Sequence, residues 1–199
     1  MVTICAAVEG VVDEVVAARL IRHVGAIPGP AYGRRGKPNL QRQIGGYNEA
    51  ARRAPWLVLV DLDQDADCAP PMRQAWIPAP APMLCFRIAV RAIEAWLMAD
   101  AEALASFIGV SRARIPRDPE AIDSPKTALV NIAVRSRRRA IREDMVPRES
   151  SGRAVGPAYS SRLMEFASNH WRPNKAAATS ESVRRAIACL KRLTVSGGD

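Results

Sequence analysis

Two short apolar runs, each stopped by carboxylates, constrain this chain more than any other feature. The first is Ile4-Cys5-Ala6-Ala7-Val8, closed by Glu9 and Gly10. The second is Trp56-Leu57-Val58-Leu59-Val60, closed by Asp61-Leu62-Asp63, with Asp65 and Asp67 beyond. Unbroken apolar runs of this length, rich in β-branched residues, predict strands buried on both faces. In an open parallel sheet, ligands bind outside the carboxyl ends of the strands. If the two strands are neighbours, Glu9, Asp61 and Asp63 meet at one spot. A divalent cation is the natural way to hold three carboxylates together.

The segments around these runs carry helical periodicity. Residues 11–24 place Val12, Val15, Val16, Leu20 and Val24 near helical spacing, with Asp13 and Glu14 in a first turn where the helix dipole favours negative charge. Residues 25–39 hold four Gly and three Pro beside Arg34, Arg35 and Lys37, and read as a loop with room for a short strand. Helical spacing resumes over 40–54 and stops at Pro55. Residues 61–82 contain five Pro and read as turns, with a turn or two of helix around Met72 to Trp76. Residues 83–90 predict a third buried strand, and 92–108 one amphipathic helix capped by Gly109.

This alternation predicts an α/β core with a parallel sheet over residues 1–110. The remainder, 111–199, reads as a helical extension packed on that core, with helices over 125–142, 159–169 and 180–193. Ser180 is its candidate N-cap, residues 148–156 a polar connection, and the last five residues are expected to fray.

No apolar stretch in the 199 residues approaches the roughly 20 needed to span a bilayer, and no basic segment precedes a long apolar one at the start. A cytoplasmic chain without membrane contact is the expectation. The four cysteines match no zinc spacing. Net charge is +9, from 29 basic and 20 acidic residues. That charge draws a protein to polyanions, nucleic acid above all. A GC-rich coding sequence, which favours Arg, Ala and Pro, produces the same balance without any such partner.

Asp61 and Asp63 are two residues apart, so on an extended segment they face the same side. Carboxylate oxygens suit Mg²⁺ or Mn²⁺ rather than zinc. Gly10 permits a sharp turn after Glu9 and frees space. Glu94 and Asp100 form a second candidate, with Glu94 placed for a second metal position or as the partner of Arg91; Arg87 and Arg91 alternatively grip phosphate. Lys126, after Ser124-Pro125 at a helix start, is placed to offset charge on a phosphate. Arg34, Arg35 and Lys37 form a basic loop suited to closing on a nucleic acid. The arginines between Arg135 and Arg142 are either a phosphate stripe or a solvated face. No phosphate-cradling G-K-[ST] sequence occurs, so this chain has no ATPase motif.

These residues carry a resemblance. Val8-Glu9-Gly10 opening a helix, followed by a hydrophobic strand running into Asp61-x-Asp63, resembles the Toprim pattern of topoisomerases, primases and overcoming-lysogenization-defect nucleases. Residues 55–65, Cys68, 87–91 and 93–100, with Ser124-Pro125-Lys126 and the tail around Tyr159, Trp171 and Ser180, resemble an uncharacterised prokaryotic Toprim-like family, a domain of unknown function. The resemblance implies a Toprim-like parallel-sheet sandwich and Mg²⁺-dependent phosphodiester chemistry. Asp61 and Asp63 would hold the metal, and Glu9 would bind metal or act as acid/base. It also implies a nucleic-acid substrate, a water nucleophile and a separately encoded ATPase companion of the kind found in phage-defence or toxin-type systems. The alternative is a non-catalytic nucleic-acid-binding or regulatory module on the same fold.

Overall fold

The apolar runs at the start of the chain and at Trp56 lie side by side in a four-stranded parallel sheet. The structure, a computed structural model, describes residues 1–195. Its strands are β1 (Thr3–Val8), β2 (Ile27–Gly33), β3 (Trp56–Asp61) and β4 (Leu84–Ala89), in the order β2-β1-β3-β4. Cys5 stands opposite Trp56 and Val8 opposite Leu59, while Asp61 stands opposite Ala89. The helices are α1 (Val11–His23), α2 (Lys37–Ala50), α3 (Ala69–Trp76), α4 (Ile93–Met98), α5 (Ala101–Ile108), α6 (Pro125–Val134), α7 (Arg139–Met145), α8 (Tyr159–Asn169), α9 (Pro173–Ala176) and α10 (Glu181–Val195). The chain is thus an α/β protein with a helical C-terminal part.

Alternation along the strands divides the core between the two sheet faces. Ile4, Ala6, Val8, Leu57, Leu59 and Cys85 bury against α1, α8 and α10. Ala7, Val58, Val60, Phe86 and Ile88 bury against α2 and α3 through Leu40, Ile44 and Met72. The first cluster runs without a break from Ile4 to Leu193, so the helical extension shares the core of the sheet domain. Among the described residues no helix is long and apolar enough to cross a membrane.

Several elements differ from the sequence expectation. The Gly- and Pro-rich segment forms a full seven-residue strand, β2, parallel to β1. It lies at the sheet edge, where one side of the backbone needs no ladder partner and Pro is tolerated. The helix expected over 92–108 is two helices, because Asp100 leaves helical geometry (φ −89°, ψ 67°) and its carboxylate caps α5 at the Ala103 N–H. The helix expected over 125–142 is also two. Buried Ser136 interrupts it, its hydroxyl accepting the Arg138 N–H at 2.9 Å. The arginines of that run therefore share no single helical face. Ser180 caps α10 as expected, accepting the Val183 N–H at 3.1 Å. The fraying expected at the terminus falls almost wholly on residues 196–199, outside the described residues.

Candidate active site

All four strands run the same way, so their carboxyl ends share one edge, and the strand order reverses between β1 and β3. A crevice opens at such a switch point. Glu9 follows the last residue of β1, and its Oε1 accepts the backbone N–H of Asp61 at 2.8 Å. Asp61 ends β3, and its Oδ1 accepts the N–H of Ile93, the first residue of α4, at 2.9 Å. Each carboxylate is anchored through one oxygen.

Two further acids close on this pair. Glu94 is 4% exposed; its Oε1 accepts the Tyr159 hydroxyl at 3.2 Å and lies 4.0 Å from Lys126 Nζ. Asp13, in the first turn of α1, is 7% exposed, and its Oδ1 is buried with no hydrogen-bond partner. Gly10 serves this arrangement by what it lacks. Its backbone is extended (φ −144°), a conformation open to any residue, so no glycine-specific turn follows Glu9. A Cβ there would stand 3.1 Å from Asp13 Oδ2.

Burial and mutual repulsion hold Glu9, Asp13 and Asp61 toward the neutral form. Burial drives the Asp61 carboxyl well above its usual range, and Asp13, Glu94, Glu9 and Asp63 push it further. Asp13 is pushed up to about 7 by burial, with Glu9 and Glu94 adding to the effect. Burial also raises Glu9, against the opposing pull of the Asp61 N–H and Lys37. The Tyr159 hydroxyl is raised by burial and by the neighbouring Glu94 charge.

Two cavities flank Asp61. One of about 260 Å³ is bounded by Asp13, Asp61, Glu94, Lys126 and Tyr159. The other, of about 420 Å³, is lined by Asp61, Asp63, Arg91, Asp123, Ser124 and Lys126. Asp61 and Lys126 belong to both, so a ligand in either meets a carboxylate and an ammonium.

Asp63 departs from the extended geometry expected for it. The strand ends at Asp61, and Asp63 takes a left-handed conformation (φ 51°) with a half-exposed side chain. Its Oδ2 receives Lys37 Nζ at 2.6 Å, and the same ammonium reaches Asp65 at 2.8 Å. Asp61 and Asp63 therefore line one cleft without facing one point side by side. Lys37 is not in the basic loop; it begins α2 and turns into the acids. Burial opposes its charge, but the Asp63 and Asp65 hydrogen bonds outweigh that and raise its pKa.

The other basic residues are scattered. Arg34 pairs with Glu14 at 3.2 Å, and Arg35 is exposed. Arg91 donates to the carbonyls of Asp63 and Ala66, at 3.2 and 3.1 Å, clamping the turn after β3. Arg87 sits mid-strand on β4, opposite Leu59 and away from the carboxyl edge. Asp100 faces Arg172 rather than the crevice.

Among the described residues no group of three His, Cys, Asp or Glu side chains is arranged as a ready-made metal set. The donor chemistry fits a hard cation all the same: Glu9, Asp13, Asp61 and Glu94 offer only oxygen, and Asp13 Oδ1 is a buried acceptor with nothing to accept. In the sequence Asp13 reads only as a first-turn acid, and nothing there gives Tyr159 a place in the site. An acid in a first helical turn is ordinarily solvated, but this one is buried where α8 packs on α1 and Tyr159 and Glu94 lie beside it.

Fold and site together define an α/β protein with an acidic, lysine-bordered crevice at the carboxyl edge of its sheet. No family model, curated protein or solved structure matches the chain.

Proposed function

We propose that this chain is a Mg²⁺- or Mn²⁺-dependent phosphodiester-cleaving enzyme acting on nucleic acid. The observation that carries the proposal is the convergence of Glu9, Asp13, Asp61 and Glu94 at the strand-order reversal, with Asp13 Oδ1 unpartnered. Glu9, Asp13 and Asp61 are the residues to hold the cation, with Asp63 and Glu94 as outer members. A cation bound there supplies Lewis-acid polarisation of a phosphate oxygen. Lys126 Nζ, beside Asp61 and Glu94, binds the phosphate and offsets charge developing on it. Tyr159 fixes Glu94 through its hydroxyl, and Arg91 holds the turn that carries Asp63. Without a cation, the proton held at the Asp13–Asp61 pair relieves their repulsion. Arg34 and Arg35, at the end of β2, are placed to contact the substrate backbone. In this proposal the chain acts with a separately encoded ATPase in a phage-defence or toxin-type system.

The test is cleavage of supercoiled plasmid and of labelled RNA with Mn²⁺, comparing the parent with Asp61→Asn and Lys126→Met. The expected result is cleavage that EDTA stops and that Asp61→Asn lowers by at least about 100-fold, the size of loss seen when one electrostatic group is removed. Equal cleavage by parent and Asp61→Asn would overturn the proposal.

One observation favours a second reading. Lys37 already pairs with both Asp63 and Asp65, which suits a non-catalytic nucleic-acid-binding module that keeps the fold without the cation. That reading predicts salt-sensitive binding of nucleic acid, no cleavage, and no Mn²⁺ uptake by calorimetry.

A further inference from the structure

A hollow bordered by arginines lies at the free edge of β4, between α3 and α10. A cavity of about 260 Å³ there is lined by Arg73 and Gln74 of α3, Phe86 and Arg87 of β4, and Arg185 of α10. No Asp or Glu lines it. Arg87 Nε is buried and has no hydrogen-bond partner among the described residues. Buried donors are nearly always paired, so a lone one facing a cavity calls for an acceptor there, a bound anion or an ordered water. Arg185 is steered by Glu181, which accepts its Nε at 2.7 Å and leaves the terminal nitrogens of the fork for another acceptor. As the outer strand, β4 also presents backbone groups that no neighbouring strand pairs.

The positive field is felt nearby. The Cys189 thiol is held down to about 7, first by a hydrogen bond with Cys85 and then by Arg87, Arg192 and Arg73. Three guanidiniums around a hollow that no Asp or Glu lines suit an anion with several acceptor oxygens in different directions, which is the geometry of a phosphate group. The volume falls below the roughly 300–1,000 Å³ of sites that enclose drug-sized ligands, so the hollow suits a phosphate group whose carrier extends into solvent.

We propose that this cavity is a phosphate-binding site, formed by Arg73, Arg87 and Arg185 and separate from the carboxylate crevice. It takes a terminal phosphate, carried either by a free mononucleotide or by the 5′ end of a strand. The site uses no divalent cation, so it stands or falls independently of the cleavage reaction.

The test is calorimetry on the full chain in EDTA, with inorganic phosphate, adenosine 5′-monophosphate, and one short oligonucleotide bearing either a 5′-phosphate or a 5′-hydroxyl. Inorganic phosphate should bind, and Arg73→Gln should weaken it by about tenfold or more, the value of one charged hydrogen bond. Arg73 is exposed, so its replacement leaves the core intact; Arg87→Gln, with circular dichroism to check folding, should do the same or more. Tighter binding of the mononucleotide assigns the site to a free nucleotide. Preference for the 5′-phosphorylated strand over its 5′-hydroxyl twin assigns it to a strand end. Failure of the parent to bind inorganic phosphate, or unchanged affinity in Arg73→Gln, overturns the proposal.

Discussion

The carboxylate of Glu9 accepts the backbone N–H of Asp61 at 2.8 Å, joining the ends of β1 and β3 across the strand-order reversal. One side chain thereby fixes the backbone from which the other is presented. Glu9→Ala should leave that part-buried N–H without an acceptor and cost about 1–3 kcal/mol. Glu9→Gln keeps an acceptor oxygen and removes one charge from a crowded set of acids, so without divalent cation it should equal or exceed the parent in stability. Urea unfolding in EDTA checks both. A Gln variant as damaged as the Ala variant would show that charge, not the hydrogen bond, joins these strands.

Asp13 makes the stability of the chain depend on pH. Its carboxyl, ordinarily near 3.8, is pushed up to about 7. The folded chain keeps a proton that the unfolded chain releases across that range. This group's contribution to stability therefore falls as pH rises from roughly 4 to 7 and is level above that. Asp13→Asn should remove this group's share of the decline, leaving that of Asp61 and Glu9, and be more stable than the parent at pH 8 by on the order of 2–4 kcal/mol, with the difference fading toward pH 4. Thermal melts across pH 4 to 8 in EDTA measure it. Added Mn²⁺ should recover stability at pH 8 in the parent and much less in Asp13→Asn.

Lys37 competes with any cation for Asp63 and Asp65. The two carboxylates are each 53% exposed, so breaking their ion pairs should cost less than about 1 kcal/mol. Lys37→Met should instead free them, and tighten Mn²⁺ binding by roughly threefold to tenfold, a gain of up to about 1.4 kcal/mol. Calorimetric titration of parent and variant decides it. Weaker binding in Lys37→Met would mean that the lysine organises the acids rather than competing for them.

What the sequence made legible follows how locally each feature is encoded. The strands at Ile4, Trp56 and Leu84 are readable because burial on both faces demands unbroken apolar runs. Glu9 and Asp61 come together because strand ends in a parallel sheet share an edge. β2 is obscured by Pro28, Gly29 and Pro30, which only an edge position tolerates. The break at Asp100 is hidden because the apolar period continues through it, and the Asp100 carboxylate that caps the start of α5 is held by Arg172, far along the chain. Lys37 finds its partners 26 and 28 residues away, across two elements. Asp13 resembles any first-turn acid until Tyr159 and Glu94 close over it.

Glu120 ties the start of α10 to a segment 60 residues earlier, and removing it tests whether the helical extension and the sheet domain unfold together. Its carboxylate caps α10 from outside the helix. Oε1 accepts the Ser180 hydroxyl at 2.6 Å and the Ser182 N–H at 3.0 Å, together with the Ser182 hydroxyl, and Oε2 accepts the Glu181 N–H at 3.2 Å. Ser182 in turn receives the indole N–H of fully buried Trp96 at 2.6 Å, connecting the cap to α4 and so to Asp61. Glu120→Ala strands several donors at the start of α10 and should cost about 1–3 kcal/mol. Glu120→Gln keeps an acceptor and should lose less. Because α10 shares the buried cluster that contains Ile4 and Leu59, the loss should lower one cooperative transition. Circular dichroism and Trp fluorescence should therefore shift together in urea. Separate midpoints for the two signals in Glu120→Ala would show that α10 detaches on its own.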